Sequence, residues 1–541
     1  MNRDKILNTI GFSLLGLCFL FALWNVAFRT VRELEPGVVT IRFAHWQLEG
    51  GLRSTFDILS REYEKICAAR GLKVRVEQQA IPERVFPNWL VTQLVGGKAP
   101  QIIAIDNITS GSGMSPKGMT TDRIARYFEA ISARVHEPNP YNIGTPLEGV
   151  PWCDTFVDGM SRSYDSNLLD YYSVPLSMYT FRLFYNKPLY REIFGDAPPP
   201  TEYREFLKAC ATITAYGRAR GLNLVPIAGS KYNAPMLTDY FAGTQTQKLG
   251  RRLNRFNTLV SNDSEVMLAY LRGEWNVRSP EITASLRLLQ SINRNFQPGF
   301  QQVDRDSATF YFVQERCVFV SAGSWDNTSL RIQAPFDLGV CHIPVPAVSD
   351  PDYGRFMYGP PTEAANGTAL AFGLVRGAAR SDLALDFLHY LSSYHGNALF
   401  SKHSGWLPSV IKVPVDETLE VFEPVIDGYP NAFGLGMGTE TSRLRDNDYY
   451  LLQAFPDSPQ KFQDVFERNG YGKACIGDLT SWQTRVLRIV TRQDTLLAAY
   501  YERSRDRKFY ELIEQQIQQE QSAYMVDSEL STLTKENQWQ R

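Results

Sequence analysis

The chain of 541 residues exceeds one typical domain, and a composition of 44% hydrophobic and 21% charged residues is that of a globular protein. A net charge of −2, with Lys and Arg spread along the sequence, gives no basic footprint for nucleic acid. The aromatic share of 12%, with 27 Tyr and 9 Trp, suits an aromatic-lined cleft as well as an ordinary core.

The run from Ile10 to Phe28 carries no charge. As a helix it would span about 28 Å, close to a hydrocarbon core of about 30 Å. Cys18 follows Leu17 rather than a small residue, and Asn25-Val26-Ala27 is a poor cleavage site. The pattern predicts a retained anchor over residues 1–36. Arg3 and Lys5 before the run balance Arg29 and Arg32 after it, so orientation has to come from the body.

Val39 to Ala44 reads as a β-branched, apolar strand ending at His45-Trp46-Gln47. A helix from Leu52 to Ala69 follows, with Phe56, Leu59, Tyr63 and Ile66 at helical spacing, and Gly71 ends it. Leu72 to Glu77 alternates as a second strand, Asn88–Val95 as a second helix, and Gln101 to Asp106 as a buried strand closed by a carboxylate. This succession predicts an α/β domain with a parallel sheet. A second α/β pattern starts near Tyr172: a strand at Arg182–Tyr185, a helix after Thr201, a strand at Asn223–Ile227, then mostly helix. Cys317 to Val320 is a short apolar strand that ends in Ser321-Ala322-Gly323-Ser324-Trp325-Asp326, a small-residue turn carrying an indole and a carboxylate. Ligands of open α/β sheets sit at such strand ends; a core Trp closing a turn is the plain alternative. Thr368–Leu374 is a further strand, Ser381–Ser393 a helix, and Arg485 to Tyr524 a helical tail.

The seven cysteines include no CxxC and no Cys/His pair at zinc spacing, so neither a metal nor a cofactor is expected, and buried free thiols are favoured over a Cys317–Cys341 bridge. Six histidines without HExxH, and Glu49, Asp106 and Asp326 without a glycosidase motif, argue against an enzyme.

The blocks Thr40–Trp46, Gly97-Lys98-Ala99-Pro100-Gln101-Ile102-Ile103, Val174-Pro175 through Tyr185-Asn186-Lys187, Phe312–Trp325, Gly367–Phe372, the helix at Ala384–Leu391 and Gly405-Trp406-Leu407-Pro408 follow one another along the chain. Their order resembles the bacterial extracellular solute-binding proteins of family 1, the carbohydrate receptors of ABC importers. Gln101 stands where that family usually has Asp, and the tail is longer. The resemblance implies an α/β, two-lobed periplasmic-binding-protein-like (type II) fold with a hinge, here preceded by one transmembrane helix. The expected division is an anchor at 1–36, lobe 1 at 37–150 and 346–410, lobe 2 at 151–345, and lobe 2 completion with a helical extension at 411–541.

It further implies that ligand contacts lie at strand ends: Trp46 and Gln47, Asp106 and Asn107, Ser177 and Tyr179, Trp325 and Asp326, Asn366, and Trp406. If the strand geometry persists past its end, His45 and Gln47 face away from Trp46. The expected function is capture of a sugar or oligosaccharide for ABC permease subunits, by a body in the periplasm tethered to the bacterial inner membrane. The alternative is the same fold serving as an envelope sensor or scaffold without transport.

Overall fold

The computed structural model describes residues 37–105, 121–165, 170–255, 261–364, 367–445, 459–504 and 507–536, with isolated positions between 16 and 24. Asp106, Asn107, Asn366 and most of the Ile10–Phe28 run lie outside the described residues. Among the described residues no helix is long and apolar enough to cross a membrane.

Two sheets organise the chain. The first joins β1 (Val39–His45), β2 (Val74–Ala80), β3 (Ile102–Ala104), β6 (Val174–Met178), β11 (Thr368–Leu374) and β12 (Leu407–Pro408) in the order β12-β6-β11-β3-β1-β2. The first three strands pair in parallel as predicted, whereas β11 runs antiparallel to both β3 and β6. The second sheet, in the order β10-β7-β9-β8, holds β7 (Phe181–Asn186), β8 (Val225–Ala228), β9 (Cys317–Gly323) and β10 (Leu338–Cys341). A small hairpin of β4 (Tyr164–Asp165) and β5 (Asp170–Tyr171) lies apart from both.

The first core follows from the sequence spacing. Gly51, at φ 86, opens the helix Leu52–Ala69, whose Leu52, Phe56, Leu59, Tyr63 and Cys67 form one buried stripe. Phe56 packs edge-on to Phe43 of β1 and Phe372 of β11, at centroid distances of 5.1 and 5.9 Å. The segment from 139 onward docks on the far helices: Asn139 donates to the His389 carbonyl at 2.8 Å and Trp152 Nε1 to Ser392 Oγ at 2.9 Å.

The chain passes between sheets at Tyr179-Thr180, returns between Cys341 and Thr368, and leaves again after Pro408. The first crossing falls later than the boundary drawn at 151, because Val174–Met178 pairs with β11 and β12. Where these crossings meet, Arg182 and Glu363 form a buried bidentate pair at 2.7 and 3.0 Å. The remaining Arg182 N–H groups donate to the carbonyls of Phe181, Val421 and Glu423, and Glu363 Oε2 accepts from the Val425 N–H. One ion pair therefore binds all three crossings, with its polar groups satisfied.

The helical tail is two helices, Tyr471–Ser504 and Arg507–Glu536, packed along each other. Tyr471, Cys475, Leu479, Val526 and Leu530 share a core with Leu249, Val266 and Trp275, and Arg272 pairs with Glu529. Among the described residues all cysteines are free, Cys317 and Cys341 included.

Candidate functional site

Between the sheets the strand ends converge on one aromatic pocket. β1 stops at His45, which turns into the core and meets Gln78 Oε1 at 2.8 Å. Strand alternation stops there too, so Trp46 and Gln47 both line the pocket, contrary to the expectation that they face apart. Tyr179 comes from the first crossing, Tyr232 from the turn after β8, and Thr368, Ala369 and Leu370 from the start of β11.

Trp325 follows β9 on a short 3-10 turn. Its ring folds back over Gly323, where an added Cβ would lie 2.5 Å from the indole, so only glycine permits this conformation. The ring meets Tyr179 and Phe181 edge-on, at 5.0 and 5.9 Å. Trp406 follows Gly405, which sits at φ 68 with Thr328 Oγ1 2.3 Å from where a Cβ would be. That threonine donates across the lobes to the Ser404 carbonyl at 3.0 Å.

Arg305 dominates the electrostatics. It donates to Glu49 Oε1 at 3.3 Å, pairs with Asp326, and stands 5.4 Å from the Tyr232 ring centre. Glu49 belongs to the lobe of β1, Arg305 and Asp326 to that of β9, so the triad bridges the lobes. A second cross-lobe pair, Arg84 with Asp304 at 3.2 Å, is solvent-exposed. Burial pushes the Glu49 carboxyl above its ordinary range, and Arg305 pulls it back only in part. Glu49 Oε2 and Trp406 Nε1 are buried without a hydrogen-bond partner among the described residues.

The pocket is small, about 40 Å³, room for little more than one water-sized group. Beside it opens a groove of about 700 Å³ that shares Trp46, Glu49 and Arg305 and adds Asp326.

Of the expected site residues, Trp46, Gln47, Tyr179, Trp325 and Trp406 come together around the pocket. Asp326 lines the groove, but its carboxylate is committed to Arg305. Ser177 does not join them: its hydroxyl donates to the Leu407 carbonyl at 2.7 Å and fastens β6 to β12. Tyr232 and Arg305 were not anticipated, since each lies in a segment read as helical or loop with no local signal. Glu49, weighed only as a glycosidase carboxylate, was legible as an acid two residues beyond Gln47.

No protein-family model and no curated protein matches the sequence. Solved structures do match. The GacH receptor of Streptomyces glaucescens, determined unliganded and with acarbose, aligns at a TM-score of 0.54 and 15% identity over 80% of this chain and 99% of that one. An ABC transporter solute-binding protein from Thermotoga lettingae bound with alpha-D-tagatose aligns at 0.54 and 15%, over 81% and 99%. A chitin oligosaccharide binding protein aligns at 0.51 and 15%, over 81% and 98%. The chain thus has the mixed α/β fold of sugar-binding solute receptors, and about a fifth of it lies outside each match.

Proposed function

We propose that the protein captures a sugar or oligosaccharide between its lobes and presents it to an ABC importer. The carrying observation is the convergence of Trp46, Tyr179, Tyr232, Trp325 and Trp406, from both lobes, on one pocket. Flat apolar faces beside polar groups match the two faces and hydroxylated rim of a pyranose. A sugar ring exceeds about 40 Å³, so binding requires the lobes to part, with the adjoining groove as the way in.

In this reading the Ile10–Phe28 run tethers the body to the bacterial inner membrane, with the lobes extracytoplasmic and local concentration at the permease raised. The lobe boundaries then follow the three sheet crossings, with the tail completing the second lobe. A second reading, an envelope sensor or scaffold without transport, draws on the part of the chain, about a fifth, that lies outside each match.

Titration calorimetry of the full chain against a broad glycan panel tests sugar capture; no heat with any glycan would sink it. Alkaline extraction of membranes tests the tether, which predicts retention in the pellet.

A further inference from the structure

The charges around the pocket and its groove, taken together, do not balance. Glu49 and Asp326 place two carboxylates on the single guanidinium of Arg305, and the groove adds Glu83 and Asp306 without a further base. Asp326 is satisfied by Arg305, but Glu49 spends only Oε1 on it. Its Oε2 is buried without a hydrogen-bond partner among the described residues, on a side chain that lines both pocket and groove. Such an oxygen is left without the hydrogen bond that water would give it, and a ligand donor restores one. Trp406, a residue 3% exposed on the same pocket, has its Nε1 donor unmatched among the described residues and calls for a ligand acceptor.

We infer that the solute carries an ammonium group beside its hydroxyls: an amino sugar, with its nitrogen on Glu49 Oε2 and a ring oxygen or hydroxyl on Trp406 Nε1. This rests on the sugar reading above and sharpens it. An ammonium is the size of the small cavity, supplies the missing positive charge, and sits among indoles and phenols, the ring types that attract cations. A neutral hydroxyl would pair Oε2 but leave the surplus charge buried. An acidic sugar would add to it.

The test compares three β-1,4 tetrasaccharides of matched length, built from glucose, N-acetylglucosamine and glucosamine, titrated into the full chain below the pKa of the amine. The glucosamine form is expected to bind at least tenfold tighter than its N-acetylated twin, with Glu49→Gln lowering that ratio to about one. Equal affinity of the three sugars overturns the ammonium inference and leaves sugar capture standing. Binding of the free amine spermidine, lost in Glu49→Gln, with no sugar bound, supports the ammonium site and overturns sugar capture. No binding of any of the four ligands overturns both. The wild-type ratio decides the question even if Glu49→Gln melts early.

Discussion

Trp325 is held by its neighbours rather than by its own rotamer alone. Gly323 clears the space beneath the ring and two aromatic edges confine it. Because the ring both packs and faces the pocket, Trp325→Ala is expected to lose sugar affinity at least tenfold and to cost about 3–5 kcal/mol of stability. Trp325→Phe should recover most of the stability and only part of the affinity, as read by denaturant melts beside calorimetry. The three tryptophans were legible in the sequence because each follows a strand or a glycine at a strand end. Arg305 was not: one arginine among many helical ones is distinguished only by Glu49 and Asp326, 256 and 21 residues away. The bond that Ser177 makes was not legible for a similar reason, since its partner carbonyl at Leu407 lies 230 residues along the chain.

At the scale of elements, the crossing segments depend on a buried ion pair. Removing one partner leaves the other charged and enclosed, so Glu363→Gln is expected to cost about 3–5 kcal/mol. Replacing both, as Arg182→Met with Glu363→Met, should cost less than the sum of the singles, which a double-mutant cycle measures directly. The helix Ser381–Leu391 brings a pH dependence of its own. Burial lowers the His389 pKa to about 4, outweighing the pull of Asp386, and the ring sits 4.0 Å from Trp152. The unfolded imidazole takes a proton below about 6.5 while the folded one waits until about 4. Stability therefore falls as pH drops through that window. His389→Gln should flatten this part of the profile in urea titrations at pH 7, 5.5 and 4.

At the scale of the molecule, strand order and helix spacing made the α/β class and the sequence of blocks readable, because period and turn chemistry are local properties. The pairing of β6 with β11 and β12 was not readable, since strand partners hundreds of residues apart leave no mark on either segment. The tail is joined to the second lobe rather than appended to it: Val526 and Leu530 are buried there and Glu529 holds Arg272. Deleting residues 507–541 is accordingly expected to lower the melting temperature and expose apolar surface to a hydrophobic dye. An unchanged melt would mean that the second lobe stands without it. The strand order has one more consequence, for biosynthesis. β11 lies between β3 and β6, yet it is made some 190 residues after β6. Until Thr368–Leu374 leaves the ribosome, the nascent first lobe has a gap in its middle and two unpaired edges facing each other. Such a sheet cannot close until the last third of the chain is synthesised, and until then its open edges are free to pair with other chains.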